Sequence, residues 1–234
     1  MNNFYERTRL LVGDDAIEKL KNTRVAIFGI GGVGGYVAEA LARSGVGSLA
    51  LFDNDKVSVT NINRQIIALN STVGKYKTEV MAERIKDINP ECAVTTFNIF
   101  YDLENAKDYD LSAYDYVIDA IDSVKSKIEL IRRATLADTP IISAMGAGNK
   151  MDPTAFQISD ISKTSVCPLA RVVRRELKAI GINHLKVCYS KEIPLTPLSS
   201  NEDSSKRVTP GSTAFCPSVM GLIIASEVVK DLIK

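Results

Sequence analysis

The chain has 234 residues and a formal net charge of +1. That is enough length for a full hydrophobic core, and the charge balance excludes a surface adapted throughout to nucleic acid. It has no apolar run near the ~20 residues needed to span a bilayer, and Met1 to Arg7 shows no charged stretch followed by an apolar core, so a cytoplasmic protein without membrane contact is expected. Cys92, Cys167, Cys188 and Cys216 form no C-x-x-C pair, which disfavours a zinc ribbon and a disulfide scaffold and predicts reduced thiols and no zinc.

In chain order, Leu10 to Leu20 carries helical spacing of apolar residues and predicts one opening helix. The apolar run Val25 to Phe28 reads as a strand. It leads into Gly29-Ile30-Gly31-Gly32-Val33-Gly34 and then a helix to about Ser44. A second strand, Ser48 to Phe52, ends at Asp53; a helix from Lys75 to Ile88 stops at Asn89-Pro90. Strand-like runs come next at Ala93 to Ile99 and Tyr116 to Ile118, then a helix from Lys125 to Ala137 and a strand from Pro140 to Ala144. This alternation implies right-handed crossovers and a mainly parallel sheet, so residues 1–150 read as one doubly wound, Rossmann-like α/β unit. Beyond it, strands at Thr154 to Ile158 and Leu185 to Tyr189 flank a helix from Pro168 to Ile180, and an apolar helix runs from Ser218 to Ile233. Residues 151–234 are read as an α+β extension of the same fold that binds substrate and forms the dimer contact. Within it, Pro194 to Pro210 is rich in Pro, Ser and charge, and it predicts a mobile loop.

The glycines suit a phosphate cradle. Gly29 and Gly31 allow a tight turn and close backbone approach, Gly32 adds room, and Gly34 lets the helix pack against the strand. The helix N-terminus adds a favourable dipole. Asp53, with Asp55 two positions on, stands where an acid binds a ribose, which nicotinamide dinucleotides and ATP share. The residues beyond it discriminate between the two. Asn61, Asn63 and Arg64 lie just past the strand, and Lys77 falls near the start of the next helix. A triphosphate undergoing displacement needs this cationic compensation for the departing pyrophosphate, whereas a hydride carrier does not. Asp122, beyond the strand carrying Asp119, suits magnesium held by one carboxylate plus phosphate oxygens; either acid would also serve as a helix cap.

GIGGVG, LFDNDKV, NINRQ, VGKYK and VIDAID, in this order and spacing over about residues 5 to 150, resemble the adenylating domain of the ubiquitin-activating-enzyme superfamily, the group of ThiF, MoeB and HesA. The resemblance implies ATP-dependent adenylation of a carboxylate. Asp53 would bind the ribose, Asn63, Arg64 and Lys77 the phosphates, and Asp122 the magnesium. It also implies a homodimer in which an N-terminal arginine, here Arg7, enters the partner's site; the alternative for Arg7 is an ordinary exposed arginine.

The zinc-binding C-x-x-C pairs typical of the sulfur-carrier activators in this group are missing. Residues from Gly146 onward (GAG, MDPT, DISKT, PLA and the terminal helix) instead resemble the tRNA threonylcarbamoyladenosine dehydratases. That resemblance implies that ATP activates the threonyl carboxylate and that a neighbouring atom of the same nucleoside closes the ring. The alternative is an adenylyltransferase acting on the C-terminus of a ubiquitin-like sulfur carrier. Intramolecular attack needs no protein nucleophile, so Cys167 and Cys216 are expected to be buried structural thiols. From Ile161 to Lys191 there are seven basic residues against one acid. Arg171, Arg174, Arg175 and Lys178 share one helix face, which would track tRNA phosphates or serve as a solvated surface. His184 is expected at the surface. A monovalent cation in the C-terminal region and sulfur-transfer partners such as a cysteine desulfurase stay open.

Overall fold

The computed structural model describes residues 4–198 and 210–234; most of the predicted mobile loop, residues 199–209, lies outside the described residues. Two short helices, α1 (Glu6–Val12) and α2 (Asp14–Lys21), replace the single opening helix expected. The break is Gly13, whose φ of 86° ends the first helix and redirects the chain. The elements then run as β1 (Arg24–Phe28), α3 (Gly34–Arg43), β2 (Ser48–Phe52), α4 (Lys77–Ile88), β3 (Ala93–Phe97), β4 (Tyr116–Asp119), α5 (Val124–Leu136) and β5 (Ile141–Ala144). After them come β6 (Phe156–Asp160), α6 (Pro168–Ala179), β7 (Lys186–Ser190) and α7 (Cys216–Leu232). β6 begins two residues later than its apolar pattern predicts, because Asp152 accepts the Thr154 N–H and draws residues 153–155 into a 3₁₀ turn.

The seven strands among the described residues form one sheet in the order β3-β2-β1-β4-β5-β7-β6, parallel except for the edge strand β6. The sheet therefore runs through residue 150, with β7 pairing parallel to β5. Alternation along the central strands divides the core. Val25, Ile27, Leu49, Leu51 and Ile118 meet α3, α4 and α7 on one face; Ala26, Phe28, Ala50, Phe52 and Val117 meet α5 on the other. Phe28, Phe52 and Phe97, at the ends of three adjacent strands, stack at 4.1 and 4.3 Å between ring centroids and floor one side of the sheet's carboxyl edge. Strand order reverses between β1 and β4, and ligands of open α/β sheets bind outside the carboxyl ends of strands at such a switch point.

Candidate active site

A cleft of about 460 Å³ opens at that switch point, and it gathers most of the predicted site residues from across the sequence. Its base is the loop after β1. Gly29 has φ 92°, and a methyl group there would come 2.6 Å from the Ala120 carbonyl oxygen; on Gly34 it would come 1.8 Å from the Gly29 carbonyl oxygen. Only glycine permits this turn and the close start of α3. Gly29, Gly31 and Gly32 line the cleft, while Gly34 stands behind them as the packing residue.

Asp53 and Lys77 form the charged wall. The Asp53 carboxylate accepts the Ile30 N–H at 2.7 Å and the Asp55 N–H at 2.8 Å, so it fixes the glycine loop as well as facing the cleft. Burial pushes its pKa up; the nearby Lys77 ammonium and these two N–H groups pull in the opposite direction. Lys77 is buried, with Nζ 2.6 Å from Asp55 Oδ2 and 3.9 Å from Asp53 Oδ1. The Lys77 ammonium is therefore poised between two carboxylates at the cleft, of which Asp55 is the exposed one.

The NINRQ stretch divides its labour. Asn61 lines the cleft, and its Oδ1 accepts the Ser58 N–H at 3.0 Å, which holds the turn. Arg64 also lines the cleft while its Nη1 donates to the Thr60 carbonyl and to Asn63 Oδ1. Asn63, predicted at the phosphates, stands outside the lining: its amide is used between Arg64 and the Ser212 carbonyl, to which Nδ2 donates at 3.1 Å. Gln65, for which the sequence suggests no separate role, is buried in the cleft wall, and its Oε1 has no hydrogen-bond partner among the described residues. The Tyr101 hydroxyl is in the same position. An amide directly after an arginine on this wall is the available signal for Gln65; Tyr101 comes after β3 with none.

The acid that ends β4 and the acid that follows it separate completely. Asp122 is exposed at the cleft, just before the N-terminus of α5. Asp119 is wholly buried, 2.8 Å from Lys127 Nζ and 2.5 Å from Ser143 Oγ, and it accepts the Ile121 N–H at 3.1 Å. Lys127, also wholly buried, donates in addition to the Ala144 carbonyl at 3.1 Å. This pair braces the exits of β4 and β5 from beneath; a lysine inside a predicted amphipathic helix gives no hint of it.

The opposite wall is Ala147, Gly148, Pro210, Gly211, Ser212 and Pro217. Pro217 approaches Gly32 so closely that a methyl group there would stand 3.2 Å from its Cβ, placing this wall beside the glycine loop. Arg7 stands outside the lining, exposed on α1, a helix that buries none of its residues and leaves Leu10 and Leu11 in solvent.

All four cysteines are free and buried, and none lines the cleft. Burial raises the thiols of Cys92 to about 11 and Cys188 to about 12, and it raises Cys216 as well, so these three are protonated at neutral pH. No group of three or more His, Cys, Asp or Glu among the described residues is arranged to hold a metal ion. On α6, Arg171, Arg175 and Lys178 are exposed, whereas Arg174 is partly buried and its Nη1 donates to Thr164 Oγ1 at 2.6 Å and the Thr164 carbonyl at 3.0 Å. His184 lies at the surface, with Nδ1 3.2 Å from Asp160 Oδ2.

The fold and cleft thus define a doubly wound α/β protein of nucleotide-binding type, whose glycine loop is faced by a cationic wall and an exposed acid. More specifically, the ThiF family pattern matches residues 5–234, and the chain belongs to the ThiF family. It is 47% identical to the tRNA threonylcarbamoyladenosine dehydratase of Bacillus subtilis, over 98% of this chain and 94% of that protein. It superposes on the crystal structure of E. coli tRNA N6-threonylcarbamoyladenosine dehydratase, TcdA, in complex with ATP, with a TM-score of 0.89 and 38% identity over 97% of this chain and 93% of that one. The similarity to the molybdopterin-synthase adenylyltransferase of E. coli is 35% over 67% of this chain and 63% of that protein.

Proposed function

We propose that this chain is an ATP-dependent dehydratase that adenylates the threonyl carboxylate of threonylcarbamoyladenosine in tRNA and promotes its cyclisation. The observation that carries the reading is end-to-end similarity to a dehydratase of this kind, joined to a cleft in which Gly31, Arg64, Lys77 and Asp122 converge. A threonyl carboxylate oxygen attacks the α-phosphorus and pyrophosphate leaves, giving an acyl-adenylate. A nitrogen or oxygen of the same nucleoside then attacks the activated carbonyl, loses its proton and expels AMP. One carboxylate oxygen departs with AMP, so the nucleoside loses the elements of water.

Each protein group has a part in this. The glycine loop orients the α-phosphate with backbone N–H groups and the α3 N-terminus. Asp53 receives the ribose hydroxyls. Arg64 and Lys77 stabilise charge on the departing pyrophosphate, a preorganised contribution of the kind that lowers barriers most. Asp122, a single exposed carboxylate beside the phosphate loop, fits magnesium, which shares its ligands between one or two carboxylates and phosphate oxygens; when bound, that ion supplies further charge neutralisation. Asn63 acts through Arg64 and Ser212.

The exposed Leu10 and Leu11 on α1 support a homodimer in which this helix is covered and Arg7 reaches the partner's cleft. The exposed cations of α6 support a tRNA phosphate track, and residues 151–234 serve as the substrate-binding and dimer extension. No helix among the described residues is long and apolar enough to cross a membrane, in keeping with a cytoplasmic location. Activation of a carrier protein is the weaker reading, because similarity to the molybdopterin-synthase adenylyltransferase covers only 67% of the chain and the C-x-x-C pairs are missing. Incubation with ATP, magnesium and threonylcarbamoylated tRNA yields a nucleoside lighter by one water; ATP turnover that requires an added carrier protein and ignores tRNA would reject the proposal.

A further inference from the structure

The wall formed by Pro210, Gly211 and Ser212 contributes little through its own side chains, yet it lines the same cleft as the glycine loop and Arg64. Asn149 holds it. This residue sits in the left-handed region, with φ 59°, a conformation that asparagine tolerates better than most residues. From there it makes three hydrogen bonds. Its N–H donates to the Gly211 carbonyl at 2.7 Å, its carbonyl accepts the Leu195 N–H at 2.8 Å, and its side-chain Oδ1 accepts the Gly211 N–H at 2.7 Å. Next to it, Gly148 leaves so little space that a methyl group would stand 2.9 Å from Pro210 Cβ. Ser212 is then tied across the cleft through its carbonyl to Asn63, and through Asn63 to Arg64.

We propose that Asn149 is a positioning residue: through Oδ1 and the Gly211 N–H it fixes the 210–212 wall at the distance from Gly32 and Arg64 that admits the substrate carboxylate beside the α-phosphate. The proposal rests on the function above. It places the effect on the substrate and not on the nucleotide, because the side chains assigned above to the nucleotide, Asp53, Arg64, Lys77 and Asp122, stand on the opposite wall. It also explains why the chain spends an αL asparagine at a loop position that bears no side chain into the cleft.

Three variants separate the contributions. Asn149→Gly keeps the left-handed backbone and removes only the side-chain bond. Asn149→Ala removes it and strains the backbone as well, and Asn149→Asp retains both an acceptor and tolerance of αL. Loss of one such bond is expected to raise the KM for threonylcarbamoylated tRNA by up to about tenfold in Asn149→Gly and by more in Asn149→Ala. Asn149→Asp stays within about twofold of the parent, and the Kd for ATP stays within about twofold in all three. Hydrogen exchange read alongside shows the Gly211 amide exchanging faster in the Gly and Ala variants and protected in Asp. Equal impairment in Asn149→Asp and Asn149→Gly, an unchanged KM despite faster exchange at Gly211, or ATP affinity falling in step with tRNA affinity would each overturn the proposal. A parent protein with no activity on this tRNA would overturn the function instead, while exchange at Gly211 would still decide whether the clasp exists.

Discussion

The two walls of the cleft are built from different materials. The wall after β1, β2 and β4 presents charged side chains at strand ends and helix starts: Asp53, Arg64, Lys77 and Asp122. The wall from residues 147–148 and 210–217 presents mainly glycine, proline, alanine and backbone, shaped by bonds made behind it. On the proposed function the first wall runs the ATP chemistry, which asks for charge at fixed points, and the second selects what can approach, which asks for shape. Beneath both, Asp119 and Lys127 tie the exit of β4 to the exit of β5.

That brace gives the largest expected effect. Lys127→Met leaves Asp119 buried without its cation, a change that costs about 3–5 kcal/mol of folding stability in comparable buried pairs; chemical denaturation would show it, and an unchanged midpoint would mean the two exits are held by something else. Next comes the charged wall itself. Asp122→Asn and Arg64→Ala are expected to lower turnover by about 10²- to 10³-fold. Asp122 is exposed, so its variant should keep the parent's melting temperature, and a steady-state assay with a thermal melt separates these readouts. The shaped wall predicts the opposite pattern. Ser212 is used here through its carbonyl, so Ser212→Ala should stay within about twofold of the parent in kcat and KM; a large loss would show that this wall also acts by side-chain chemistry.

A small effect, read in stability and not in turnover, concerns the support of the charged wall. Burial alone would raise the pKa of Glu39 on α3, but hydrogen bonds from Arg84 and Arg43 outweigh it and hold the carboxyl below its usual 4.5. Its folded pKa is therefore depressed. The stability it contributes is fully present above pH 4.5 and is lost as pH falls through the lower folded value. Because both arginines are more than a third exposed, the gain is screened to about 1 kcal/mol or less. Glu39→Gln should flatten the acid limb of the stability curve and leave the neutral region almost unchanged; an unaltered limb would show that these ion pairs contribute nothing to folding.

The same contrast explains what is legible in the sequence. The convergence of the glycine loop, Asp53, Arg64, Lys77 and Asp122 on one cleft is legible because the loop, Asp53 and Asp122 closely follow strand ends and Arg64 and Lys77 belong to motifs in the same register. Asn63 is placed at the phosphates by its neighbours in the motif, but a side chain's direction within a turn is set by tertiary contacts, here with Ser212. Asp119 and Asp122 differ by three positions and in the structure share nothing, since one ends a buried strand and the other has left it. Lys127 and Asn149 are illegible because their partners lie in other elements. The single opening helix fails at one glycine, where apolar spacing continues across a position that the backbone uses to turn.

The central claim, that the charged wall drives attack of the threonyl carboxylate on the α-phosphorus, is tested most directly by following an oxygen atom. Threonylcarbamoylated tRNA carrying heavy oxygen in the threonyl carboxylate, turned over with ATP, should deliver one labelled oxygen into AMP and yield pyrophosphate without label. Label appearing in inorganic phosphate with ADP as co-product, or AMP formed without label, would contradict the account.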